Sequence, residues 1–314
     1  PSGLSFARMV LDTGSLVLGV DFTSAPSARK PITVARGSWF PGGVRNLLRL
    51  EEVEELRSLD AFSAAVATAG PWLGGFDLPF GQPRSLIEHE GWPTTWPAFV
   101  RFYCGQPRPA LRETFRRWCD RRPPGDKFAW RKADKPAGSS PAMRWTNPPV
   151  AWMMHAGIER LLDAGLVFPA HRHGSVPARI AAGADAGGSA RVALEAYPGF
   201  TVRHVCSRPY KSDAAGSRTP ERTANRGLIL EHLVAGTAGL DVALEITPFW
   251  SGRLIDDPGG DRLDAVICGL QAAHAATLPD FGLPPDLDPL EGWIASVPWA
   301  AATRGRLEFP DAVG

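Results

Sequence analysis

The chain has no paired cysteines, no excess of either charge and no long apolar run. Its four cysteines, Cys104, Cys119, Cys206 and Cys268, stand apart and form no CxxC pair, which excludes a zinc ribbon or a dithiol redox motif. Cys268 lies in the run AVICGL and reads as a buried core thiol. Unpaired thiols set the expectation of a cytoplasmic protein. With 34 basic and 33 acidic residues the net charge is +1, so bulk charge points to neither nucleic acid nor membrane and only a local patch can. No apolar stretch reaches the roughly 18 residues that a membrane span needs. The opening PSGLSFARMV lacks the basic-then-apolar plan of a secretory leader, so no membrane partner is expected. A GxxxxGK[ST] loop and a GxSxG with a usable context are also lacking, and GADAGG precedes no helix, so it is no dinucleotide fingerprint. No internal repeat is apparent.

What is there is apolar material and turns. The 314 residues are enough for one large α/β domain or two smaller ones, and at 44% hydrophobic they supply a sizeable core. Thirty Pro and 33 Gly point to many loops, and eleven Trp to core or groove-lining rings. LVLGVDFTSAP (16–26) reads as a buried strand ending at Asp21. PITVARGSWF (31–40) and RNLLRLEEVEEL (45–56), separated by PGG, predict a β-hairpin. SLDAFSAAVATAG (58–70) predicts a helix with Ser58 as N-cap and Gly70 as C-cap. PWLGGFDLPFG (71–81) is a fourth strand, again ending in an acid, Asp77.

Residues 82–189 break this rhythm and read as a large, mostly helical insertion. Within it RPALRETFRRWCDRR is helical, PPGDKFAWRKADKPAGSSP an exposed loop, and VAWMMHAGIERLLDAG (150–165) a helix ending at Gly165. AAGADAGGSA (181–190) reads as a flexible connector. RVALEAYPG (191–199) resumes the strands, with Glu195 near the end of one. Helices follow over 223–239 and 261–276, and residues 277–314 form a C-terminal extension. The whole is expected as a single domain with its core at about 16–81 and 190–276.

Three strand ends thus deliver an acid, Asp21, Asp77 and Glu195, and the late helix delivers Asp261 and Asp264 from its first turn. Ligands of open α/β sheets bind at the carboxyl ends of strands. Acids gathered there repel one another unless a cation neutralises them, and hard oxygen ligands suit Mg²⁺ or Mn²⁺. Taken singly, each acid has a plainer reading: a turn residue, a helix N-cap for Asp261, a partner of an Arg for Glu195. Lys211, in RPYKSD ahead of Arg218, Arg222 and Arg226, reads either as a phosphate or leaving-group contact or as an exposed loop lysine.

The segments VLGVDFTSAPSARKPITVA, GGFDLPFG, NPPVAWMMHAGIERLLDAG, ALEAYPG, the KSD before RGLILEHL, DRLDAVICGLQAA and EGWI together resemble the predicted-nuclease family called domain of unknown function 429, over about residues 16–295. The resemblance implies an RNase H-like mixed sheet flanked by helices and a hydrolase that cleaves phosphodiester bonds of nucleic acid, DNA or RNA. It maps Asp21 onto the first-strand acid, Glu195 or Asp77 onto the later-strand acid, and Asp264, with or without Asp261, onto the acid of the last helix. The function expected is a metal-dependent nuclease in which Asp21, Asp77, Glu195, Asp261 and Asp264 hold the metal and Asp21, Glu195, Asp264 and Lys211 carry catalysis. Two alternatives stay open: an ATP-dependent phosphotransferase of the actin-like or sugar-kinase type, and a non-catalytic module that binds nucleic acid or protein.

Between Arg101 and Lys135 eleven basic residues stand against four acidic ones, interleaved with Phe102, Tyr103, Phe115, Trp118, Phe128 and Trp130. This suits single-strand stacking, but a solvated helix face with core aromatics is the better expectation. HRH at 171–173 reads as an ordinary loop, and His155 as a satisfied core histidine.

Overall fold

The computed structural model describes residues 13–42, 44–174, 190–212, 214 and 218–299. Six strands form one mixed sheet: β1 Leu16–Asp21, β2 Ile32–Phe40, β3 Leu47–Leu56, β4 Trp72–Asp77, β5 Arg191–Glu195 and β6 Ala243–Glu245. Their order is β5-β4-β1-β2-β3-β6. The expected hairpin is present and extends into an antiparallel β1–β2–β3 meander, while β4 and β5 add in parallel beside β1, and β6 in parallel beside β3. Helices cover both faces: α1 Leu59–Val66, α2 Arg84–His89, α3 Trp96–Gly105, α4 Arg108–Asp120, α5 Asp134–Ala137, α6 Val150–Asp163, α7 Pro198–Arg203, α8 Pro220–Ala235, α9 Pro248–Ile255 and α10 Asp261–Ala275. No described helix is long and apolar enough to cross a membrane.

Side chains of a strand alternate between faces, and the two cores follow that alternation. Val17 and Leu73 pack with α8, α9 and α10. Leu18, Val20, Trp72 and Phe76 pack on the other face with α1, α3, α4 and α6. Helix α10 lies directly on β1, β2 and β4. Gly19 and Gly75, paired in register, make this approach possible. A Cβ on Gly19 would stand 1.9 Å from the Ala265 carbonyl oxygen, and one on Gly75 would stand 2.2 Å from that of Cys268. Any side chain there would lift the helix off the sheet. Cys268 is fully buried, as its apolar run requires.

Several expectations need correction. Ser58 caps α1, accepting from the Ala61 amide at 3.0 Å, but the helix ends at Ala67 rather than Gly70. Gly165 does end α6, at φ +71°, one residue beyond the cap Ala164. The stretch 123–141 is not an exposed loop throughout: Ala133, Asp134 and Ala137 are fully buried and Arg131 is 2% exposed. Gly260 at φ +74°, not Asp261, is the N-cap of α10. His171 is no loop residue but a buried part of a 3₁₀ turn, stacked on Trp96 at 4.2 Å. The connector expected at 181–190 lies outside the described residues but for Ala190.

Candidate active site

Asp21 and Asp77 are the last residues of β1 and β4, and they are in register with each other across that parallel pair. Each stands two residues beyond a glycine on which α10 rests, so both point to the helix-covered face. Asp21 is 8% exposed. Among the described residues neither carboxylate takes part in a hydrogen bond or ion pair. Burial pushes the Asp77 carboxyl up to about 7; Lys211 opposes this, while Asp264 and Glu195 add to it. Burial likewise raises Asp21 well above the carboxylate range, reinforced by Asp261 and Asp264.

The first turn of α10 brings in the next two acids. Asp264 is fully buried. It accepts a hydrogen bond from the Tyr210 hydroxyl at 2.6 Å and pairs with the Lys211 ammonium. Desolvation disfavours the Lys211 charge, but Asp264, Tyr210 and Asp21 outweigh it and hold the ammonium protonated. Two of the basic residues after Lys211 hold the backbone around it: Arg222 donates to the Lys211 carbonyl at 2.8 Å and Arg226 to that of Tyr210 at 2.7 Å, and the neutral Asn225 donates to that of Pro209 at 2.9 Å. Arg218 is exposed. Asp261 pairs with Lys30 at 2.7 Å.

Glu195 ends β5 but is shifted by one in register: it lies opposite Phe76, not Asp77. It therefore points to the other face of the sheet. Its Oε1 and Oε2 accept from Arg131 Nη2 and Nη1 at 2.6 and 2.7 Å, and Oε2 also accepts from the Phe80 amide at 2.9 Å. Asp134 holds Arg131 from the other side at 2.8–3.0 Å. The guanidinium stays charged because two carboxylates outweigh its burial. The late EGWI segment closes the arrangement. The Glu291 carbonyl accepts from Arg131, and its carboxylate accepts from the amides of Arg84 and Lys132 at 2.8 and 2.9 Å. Ala295 donates to the Glu195 carbonyl at 2.7 Å.

One cavity of about 420 Å³ gathers Asp21, Asp77, Glu195, Asp261, Lys211, Lys30 and Arg131 on its walls. Asp264 lies behind Lys211 and does not line it. Among the described residues no set of three or more acid, His or Cys side chains is arranged to hold a metal ion as it stands. The donor chemistry nevertheless suits a hard cation: two aspartates abreast, Asp21 buried and Asp77 half-buried, open to a cavity, with pKa values raised by desolvation and neighbouring charge.

Lys30, Arg131, Asp134, Tyr210 and Glu291 were not expected here. Arg131 and Asp134 stand only three apart, but the other partners are far away in the chain, so spacing carries little signal. Elsewhere, Tyr103, Phe115 and Trp118 are buried and the intervening Arg101, Arg112 and Arg116 exposed, the solvated-face arrangement. His155 is half-buried and satisfied by the Gln106 carbonyl at 2.9 Å. The chain matches no family model, no curated protein and no solved structure.

Proposed function

We propose that the protein is a divalent-metal-dependent phosphodiesterase acting on nucleic acid, built on an RNase H-like sheet. The observation that carries the reading is the Asp21–Asp77 pair: two acids in register at the carboxyl ends of adjacent parallel strands, one buried and one half-buried, open to one cavity, and without a hydrogen-bonding partner among the described residues. The meander followed by parallel strands beside β1 supports the fold assignment.

Asp21 and Asp77 are the residues that would hold Mg²⁺ or Mn²⁺, and Asp77 takes the later-strand role in preference to Glu195. When bound, the ion supplies Lewis-acid activation of a water and stabilises the leaving oxygen. Asp264 keeps Lys211 charged beside the cavity, where the ammonium can bind a phosphate oxygen. Its side chain is 45% exposed, so a substrate can reach it. Glu195 and Asp261 fix the walls through Arg131 and Lys30.

The test is incubation with Mg²⁺ or Mn²⁺ and labelled single- and double-stranded DNA and RNA. Metal-dependent cleavage that disappears in Asp21→Asn is expected. Cleavage unchanged in that variant, or binding without any cleavage, would overturn the assignment.

A further inference from the structure

The acids account for only one part of the cavity. Its wall also carries Phe22, which follows β1, and Pro148, Pro149, Val150 and Met153 from the start of α6. These are apolar surfaces with nothing to contribute to phosphate chemistry. Cavities of about 300–1,000 Å³ with an apolar lining and a few placed polar groups hold ligands of drug size, and at about 420 Å³ this one is near the lower limit. An apolar surface beside a charged one matches a nucleotide: a flat base that gains from leaving water, joined to a phosphate that suits Lys211 and Lys30. A base still paired in a duplex offers its partner strand as well, which so small a cavity has no room for. Enzymes that act within such pockets take single-stranded substrate or draw the nucleotide out of the stack.

We infer that the cavity admits one unpaired nucleotide at a time, its base against the Pro148–Met153 wall and its phosphate toward Lys211, so that the substrate is single-stranded nucleic acid. This rests on the phosphodiesterase reading for the chemistry, but the pocket itself can be tested by binding alone.

Two measurements decide it. Calorimetric titration with deoxyadenosine 5′-monophosphate in the presence of Mg²⁺ should show binding. That binding should weaken by roughly tenfold or more, about 1.4 kcal/mol, in Met153→Trp, whose ring would occupy the space of the base. Asn147→Trp fills the same cavity from an exposed position, so it tests the pocket even where the Met153 variant does not fold. Inorganic phosphate should bind wild type and both variants alike. In parallel, a labelled single strand should be cleaved at least tenfold faster than the same strand in a blunt duplex. Nucleotide binding that ignores both substitutions, or its absence from the wild type, overturns the inference. So does a duplex cut as fast as a single strand, which would leave the phosphodiesterase reading intact. Nucleotide binding lost in the variants, with no strand cleaved under any metal, would uphold the pocket and overturn the chemistry instead.

Discussion

Asp77 and Glu195 end adjacent parallel strands, and yet one register step separates their fates. Asp77 stands on the face covered by α10, in register with Asp21 and, among the described residues, with no cation bonded to it. Glu195 stands on the other face and is held by two Arg131 nitrogens and the Phe80 amide. An acid at a strand end is therefore not a functional assignment in itself. The pleat decides which face it reaches, and the neighbours on that face decide whether its charge is left to bind a ligand or spent on structure. By the same measure Asp264 and Asp261 lie between the two cases, each bonded to one lysine.

Neutralising one charged group at a time separates the two roles. Asp21→Asn is expected to reduce metal-dependent cleavage by about a thousandfold, the scale of losing an electrostatic group in a transition state. It should leave stability at neutral pH unchanged or raised, because a buried carboxylate among like charges is removed. Cleavage kinetics and urea unfolding of the same preparation check both halves. Arg131→Met should do the reverse, costing about 3–5 kcal/mol of stability by leaving Asp134 and Glu195 as buried charges without their counterion. Glu195→Gln should be milder, since Asp134 still pairs with the guanidinium.

A smaller effect is expected at the helix contact. Gly75→Ala places a methyl against the Cys268 carbonyl, with an expected cost of about 1–3 kcal/mol. Because α10 also carries Asp264, activity should fall further than the stability loss explains.

A further effect is expected in the pH dependence. The Asp77 carboxyl is raised from an ordinary 3.8 to about 7. Between these values the folded, metal-free protein binds more protons at this group than the unfolded chain does. This contribution to stability therefore falls as pH rises through that window. Unfolding free energies at about pH 4.5 and about pH 7.5 should thus differ less in this direction for Asp77→Asn than for wild type. Metal affinity should rise over the same range, since the ligand must ionise.

Much of the sheet was legible because its signals are local. The Val and Leu run before Asp21, the β-formers on either side of PGG, and the apolar strand before Asp77 each declare themselves within ten residues. The acids at the ends of those strands were legible for the same reason. Their division into two faces was not, because a single-residue shift between β4 and β5 leaves no mark in either segment. Arg131 was hidden in a stretch rich in Gly, Pro and Lys that reads as exposed. Beside the local Asp134, Glu195, 64 residues on, and Glu291, 160 residues on, come to meet it there. Lys30 and Asp261 are 231 residues apart. Gly70 looked like the end of α1 because glycine favours that role, but the chain had already left the helix at Ala67. The RNase H-like reading and its nuclease activity came from resemblance, and they remain the proposal that the Asp21–Asp77 pair supports.

The most direct measurement is calorimetric titration of Mn²⁺ into wild type, Asp21→Asn, Asp77→Asn and Glu195→Gln at about pH 8. Binding is expected to wild type and to Glu195→Gln, with a loss of roughly tenfold or more in affinity for either aspartate variant. Equal affinity in all four proteins, or a loss confined to Glu195→Gln, would contradict it.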